Sequence, residues 1–358
     1  MPGSVVNSSG NDTDRFLDSE FRYTLFPIFY SFVFIFGLTA NLGALFVLRH
    51  LRNAKAMNEI RIYMTNLTVA DLLFVCVLPL WISYYKERGH WAFSDALCRI
   101  TGTMFFINTY CSVLFLTVIS FNRYWAITQP LDAASSDHRR RGILVSVAIW
   151  VATLSAAVFY LVEPGTNDDA LNGNVTRCFE GYHQEESETK QTLIVTHFII
   201  VAFFFLVFLL VVVCNLLICR TLMAQRLKQV GRQHWRLKKH ALWMVCVVLA
   251  VFVVCFVPHH VVQGPWTMAV LKLGGWEADT RQRLNDAHQV TLMLMGLNCL
   301  LDPVVYCFAT RKFRRFVASW LRRMRNAPDC ASHTASTNMS VGSQRHAQLV
   351  PLEPPRKE

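Results

Sequence analysis

The sequence predicts an all-α membrane protein, a bundle of seven transmembrane helices with a short amphipathic helix after the seventh. Three observations carry that expectation. Of 358 residues, 53% are hydrophobic and 16% charged, and the mean hydropathy is +0.31, too apolar for a soluble chain of this length. Seven uncharged or nearly uncharged runs can each cross about 30 Å of hydrocarbon as a helix. The cations of a chain with net charge +11 collect on one side of those runs, so a nucleic-acid partner, which such a charge would raise for a soluble protein, is not expected.

Residues 1–22 form a polar tail with glycosylation sequons at Asn7 and Asn11. They lack the basic start, apolar core and small-residue cleavage site of a signal peptide, so the first helix is expected to act as export signal. The seven runs are Tyr23 to Leu48, Ile62 to Tyr85, Ile100 to Asn122, Gly142 to Val162, Thr192 to Cys219, Ala241 to Trp266 and Ala287 to Phe308. Between them Arg49 to Arg61, Arg139-Arg140-Arg141, Arg220 to Lys239 and Arg311 to Arg325 are basic. The loop from Glu163 to Lys190 is acidic and carries a third sequon at Asn174. By the positive-inside rule the N-terminus is outside and the C-terminus inside. Asn66 and Asn338 also match the sequon but fall within a span and in the inner tail. Residues 23–310 thus form the bundle. Within 311–326, Phe313, Phe316, Val317, Trp320 and Leu321 share one face of a basic helix, suited to the inner leaflet and its lipid. Residues 327–358 read as a disordered tail with a palmitoylation candidate at Cys330 and phosphorylation candidates at Ser332, Thr334, Ser336, Thr337, Ser340 and Ser343.

The third run links a cysteine, Cys98, to an arginine, Arg123, on opposite sides of the bilayer, as a signal-carrying element would. Most of the eleven cysteines lie inside apolar runs; only Cys98 and Cys178 share a non-membrane side. The acids within spans are Asp71 and Asp302, with Asn41, Ser112 and Asn298 as polar neighbours on other helices. Such groups are costly in hydrocarbon and mark function. Asp71, Ser112, Asn298 and Asp302 could hold an allosteric sodium ion through hard oxygen ligands; a hydrogen-bonded polar plug is the equal alternative. No other cofactor is expected.

Asn41, Leu67 with Asp71, Cys98 with Arg123, Trp150, Cys255-Phe256-Val257-Pro258 and Asp302-Pro303-Val304-Val305-Tyr306, each in its proper span, resemble the rhodopsin-like family of G-protein-coupled receptors over residues 23 to 325. That resemblance implies a receptor and not an enzyme. It also implies a Cys98–Cys178 disulfide and a G-protein face around Asn122, Arg123 and Tyr124. Pro258 should kink the sixth span and let it swing, with Phe256 as the agonist-sensitive toggle. Pro303 and Tyr306 fall in the family's seventh-span motif. Arrestin and receptor kinases would engage the tail.

The likeness extends to one branch through the stretches around Asp18 to Pro27, Phe105 to Ser112, Cys255 to Gln263 and Asn285 to Val290. This implies a phospholipid agonist, an acetylated ether lipid with a phosphocholine head, and heterotrimeric G proteins of the Gq and Gi types; another lipid or a small peptide is the alternative. The residues fit. Trp81, Tyr85, Phe105 and Phe106 offer aromatic surface for a quaternary ammonium, and His197, His259, His260, Gln263, His288 and Gln289 offer phosphate donors. Satisfied core histidines and belt aromatics are the plain alternatives. No acid occupies the outer third span, which disfavours amines. Departures from the family are Asn122 where an acid is common, Val207 for a proline, Asn215 for a tyrosine and Asp302 for an asparagine. Without the acid, Arg123 must find other acceptors and basal activity is expected to be higher. The seventh span has no lysine for a Schiff base, excluding an opsin. Repeats and hydrolytic constellations, marks of transporters and intramembrane hydrolases, are not visible either.

Overall fold

In a computed structural model the chain is described over residues 17–50, 59–128, 138–169, 175–180, 187–224, 232–309, 313–319 and 322. The sequon asparagines Asn7, Asn11 and Asn174, Trp320, Leu321, Cys330 and the tail hydroxyls lie outside the described residues. Seven helical segments among those described are long and apolar enough to cross a membrane. The first four spans are α1 (Phe21–His50), α2 (Glu59–Lys86), α3 (Asp95–Thr128) and α4 (His138–Val162), and α5 (Ser187–Ala224) is the fifth. The sixth span is α6 (Arg232–Val251), a π-helical turn (Phe252–Phe256) and α7 (Val257–Val270); the seventh is α8 (Ala278–Met295) and α9 (Asn298–Ala309). Between α4 and α5, β1 (Thr166–Asp169) pairs antiparallel with β2 (Val175–Cys178), Thr166 opposite Cys178. A last short helix covers 313–319, with Arg314 and Arg315 exposed and Phe316 and Val317 half-buried.

The helices outrun the apolar runs at most ends. The third extends from Asp95 to Thr128 because polar residues beyond the hydrocarbon are hydrated without leaving the helix, and an acid in the first turn suits the helix dipole. This helix is also the axis of the bundle. Of its most apolar window 67% is buried, against 28% in the fourth and fifth spans, whose remaining faces are left for lipid. α3 packs on α2, α4 and α5, and α6 approaches it at the Arg123 end.

Two prolines shape the spans that carry function. Pro258 cannot donate and its ring crowds the carbonyl one turn back. The chain answers with the π turn just before it, where the Val257 N–H reaches five residues back to Phe252 O. One residue is thereby added to the turn, and everything after it is rotated. In the seventh span Pro303 leaves the Cys299 carbonyl without its helical donor. Asn41 of α1 fills the gap, donating Nδ2–H to Cys299 O at 2.8 Å while also bonding Gly37 O at 3.0 Å. Asn66, whose sequon was discounted, is likewise engaged inside the bundle, accepting from Trp150 Nε1 at 3.0 Å.

Replacing Asn41 with alanine is therefore expected to strand a buried carbonyl and to cost about 1–3 kcal/mol. Thermal unfolding of the detergent-solubilised protein should show a Tm lower by a few degrees; an unchanged Tm would refute the repair.

Candidate functional site

The Cys98 end of the bundle is organised by a disulfide between Cys98 and Cys178, with Cα atoms 5.8 Å apart. It fixes β2 against the start of α3 and carries the next residue, Phe179, toward the bundle. Phe179 has φ +53°, a left-handed conformation that costs a residue with a side chain about 1–2 kcal/mol. Its N–H donates to Gly165 O at 2.8 Å. The ring rests on Gly102 of α3, where an added Cβ would stand 2.1 Å from Phe179 Cε2, so only glycine leaves that seat open.

Phe179 is one wall of a cavity of about 170 Å³. Trp81 and Tyr85 of α2 and Phe105 and Phe106 of α3 form an aromatic side, with Trp81 stacked on Tyr85 at 6.3 Å between centroids. His197 of α5, His259 and Gln263 of α7, and His288 and Gln289 of α8 form a polar side. Trp266 clamps that side by stacking on His288 at 3.7 Å and donating Nε1–H to Asn285 at 3.1 Å. His197 and His259 each meet a threonine hydroxyl, Thr267 at 3.2 Å and Thr291 at 3.4 Å. Among the described residues, His288 Nδ1 and Gln263 Oε1 are buried without a hydrogen-bond partner, and no Asp, Glu, Lys or Arg lines the cavity. The arrangement can surround a polar but uncharged or internally compensated group with donors and place apolar or quaternary carbon on rings.

His260 does not line the cavity, contrary to the sequence expectation. Its ring stacks on Phe204 at 3.7 Å, its Nδ1 meets Phe256 O at 2.8 Å and its Nε2 meets Tyr110 OH at 3.1 Å. Consecutive residues on a helix point about 100° apart, so with His259 inward His260 becomes a core histidine between spans three and five. Sequence reasoning missed Tyr30, Phe179, Tyr160 and Trp266 as lining residues. Two had a signal: Phe179 follows a disulfide cysteine, and Trp266 lies three residues after Gln263 on one helical face.

Beside this end, residues 17–23 are tied down by polar contacts. The fully buried Arg22 pairs with Glu180, which also accepts from Tyr84 OH at 3.0 Å. Arg177 reaches Asp18 at 3.3 Å and Tyr23 OH at 3.0 Å. Burial would lower the Arg177 pKa, but Glu180 and the Tyr23 phenol outweigh it and hold the guanidinium above its usual range.

Midway along the bundle the intramembrane acids meet. Asn108 donates to Asp71 at 2.9 Å, Asn298 to Ser112 at 2.8 Å, and Ser112 to Asp302 at 3.4 Å. Asp71 Oδ2, Asp302 Oδ1 and Asn298 Oδ1 are buried acceptors with no hydrogen-bond partner among the described residues. Vacant hard oxygens of this kind fit a small monovalent cation. Asn108 was not anticipated, although it lies one turn from Ser112 on the same face.

At the other end Arg123 shares a small cavity with Asn215 of α5 and Met244, Val245 and Val248 of α6. Asn122 points the other way and donates to Glu59. Tyr124 is half-buried, with its carbonyl accepting from Thr128 at 2.9 Å. Tyr306 accepts from Thr68 at 3.1 Å and meets Phe313 edge-on at 6.0 Å. Phe256 is fully buried and packs edge-on to Phe252 at 5.6 Å. α5 runs unbroken through Val207.

Because His260 fills core space, His260→Ala is expected to cost about 2–4 kcal/mol through an unfilled cavity and a stranded Tyr110 hydroxyl. A Tm within a degree of the parent would contradict that placement.

The sequence profile described as "7 transmembrane receptor (rhodopsin family)" matches residues 40–306. The chain is 52% identical to the platelet-activating factor receptor of Cavia porcellus over 96% of this chain and 99% of that protein. It is 51% identical to the platelet-activating factor receptor of Homo sapiens over 91% of this chain and 94% of that protein. Similarity to lysophosphatidic acid receptor 4 of Mus musculus is lower, 38% over 86% of this chain and 80% of that protein.

Proposed function

Because this chain belongs to the rhodopsin family of seven-transmembrane receptors, which bind a ligand and act through G proteins and not by catalysis, we propose that its agonist is platelet-activating factor. That ligand is an acetylated ether phospholipid with a phosphocholine head. The observation carrying the reading is a cavity that is aromatic on one side, histidine and glutamine on the other, and lined by no charged side chain among the described residues. The quaternary ammonium lies against Trp81, Tyr85 and Phe105, and the phosphate accepts from His259, Gln263 and His288. Near-half identity along almost the whole chain to two proteins of that name supports the choice.

Agonist binding biases a two-state equilibrium in which α6 swings outward about the Pro258 region and uncovers Arg123. The signal passes to Gq and Gi proteins, and so to phosphoinositide hydrolysis and calcium release. Arrestin and receptor kinases act on the tail beyond residue 327. The protein sits in the plasma membrane with its N-terminus and the Cys98 end outside, glycans at Asn7, Asn11 and Asn174, and its C-terminus in the cytosol. Asp71, Ser112, Asn298 and Asp302, joined by Asn108, hold sodium; the three vacant oxygens among them support this.

Labelled agonist competed by its deacetylated form tests the assignment directly: the acetylated lipid is expected to displace it and the deacetylated lipid to fail. His259→Ala and Gln263→Ala should each weaken binding about tenfold while surface expression persists. Unchanged affinity in both variants would sink the ligand assignment. For the ion site, Tm should rise with sodium over equimolar potassium, and Asp71→Asn should remove the difference. Equal curves in both salts for the parent would rule the site out.

A further inference from the structure

The charged groups at the Arg123 end include one that neither the family match nor the ligand reading uses. Glu59, the first residue of α2, is only 1% exposed although an acid at a helix start ordinarily faces solvent. Its two carboxylate oxygens are divided. Oε2 accepts from Asn122 of α3 and Oε1 accepts from Nε of Arg141 in α4, with His138 Nδ1 3.5 Å away. Arg141 is itself held over the Trp125 ring of α3 at 4.7 Å. The packing is made for this closeness: a Cβ at Gly142 would stand 2.9 Å from Ile62 and 3.3 Å from the Glu59 Cα.

A buried carboxylate with two donors from two other spans is costly to disturb, because removing it strands both. Its position on α3 gives the contact a consequence. Asn122 and Arg123 are neighbours pointing about 100° apart. Asn122 is fixed toward α2, and Arg123 therefore faces α5 and α6, half-buried beside Met244 and Val245.

We infer that Glu59 is a positioning residue for G-protein coupling: by clamping Asn122 and Arg141 it fixes the rotation of α3 that keeps Arg123 turned against α5 and α6, doing from the second span what an acid at position 122 would do from the third. The inference rests on family membership and not on the identity of the agonist. Releasing Glu59 lets α3 turn and Arg123 become available without ligand.

The test is guanine-nucleotide exchange on purified Gq and Gi class heterotrimers by membranes holding the full chain, without agonist, per surface receptor. Glu59→Gln keeps the shape and weakens both contacts; exchange should rise roughly fivefold or more. Glu59→Arg should rise further, and the reversed pair Glu59→Arg with Arg141→Glu should return to within about twofold of the parent, since the amide of Asn122 can turn to accept. A purely structural role would lower surface density and leave exchange per receptor unchanged. That result, or equal exchange from Glu59→Gln and the parent, or from Glu59→Arg and the reversed pair, overturns the inference. A failed agonist assignment would leave this agonist-free readout untouched.

Discussion

Inside hydrocarbon a backbone group that loses its helical partner has no water to turn to, and this chain places Pro27, Pro79, Pro258, Pro265 and Pro303 within its spans. Each proline obliges the bundle to repair what it breaks. The Asn41 amide on Cys299 O is such a repair, and it welds the first span to the seventh at the level of the buried acids. The π turn before Pro258 is another, and it sets the phase of the sixth span along its whole Cys98-end half. Where His259, Gln263 and Trp266 point follows from that one extra residue.

The two ends of the bundle use opposite chemistry around the same central helix. At the Cys98 end polar side chains face a cavity and leave Gln263 Oε1 and His288 Nδ1 open, which keeps the site ready for an occupant. At the Arg123 end one buried carboxylate is shared out instead, Glu59 between Asn122 and Arg141. Between them the Asp71, Ser112 and Asp302 cluster touches spans two, three and seven at once.

Much of this was legible in the sequence. Seven spans follow from apolar length alone, since hydrocarbon thickness is a fixed ruler. Nine of the ten residues named for the cavity line it, because ring and donor types in the Cys98-end halves of five spans have little else to face. His260 was the exception, and phasing explains it: His259 and His260 cannot share a face, and the sequence does not reveal the π turn that decides between them. The β1–β2 hairpin was equally hidden. Thr166–Asp169 reads Thr-Asn-Asp-Asp, with no alternating apolar face, and pairs because the disulfide and the Trp91 contact to Thr176 O at 2.8 Å hold it in place. Glu59 was overlooked for a simpler reason, since an acid at a helix start ordinarily serves the dipole and faces solvent.

That no charged side chain lines the cavity among the described residues reaches beyond which rings and donors touch a ligand. A chamber whose described lining carries no charge favours electroneutral guests over ions, which must surrender hydration to enter. A zwitterion brings its own compensation, because the field of its phosphate is answered a few ångströms away by its ammonium. An anionic phospholipid of equal length and equal apolar bulk has no such answer. On the ligand proposed above, such a lining would weigh the sum of charges on the head group before any single hydrogen bond is made.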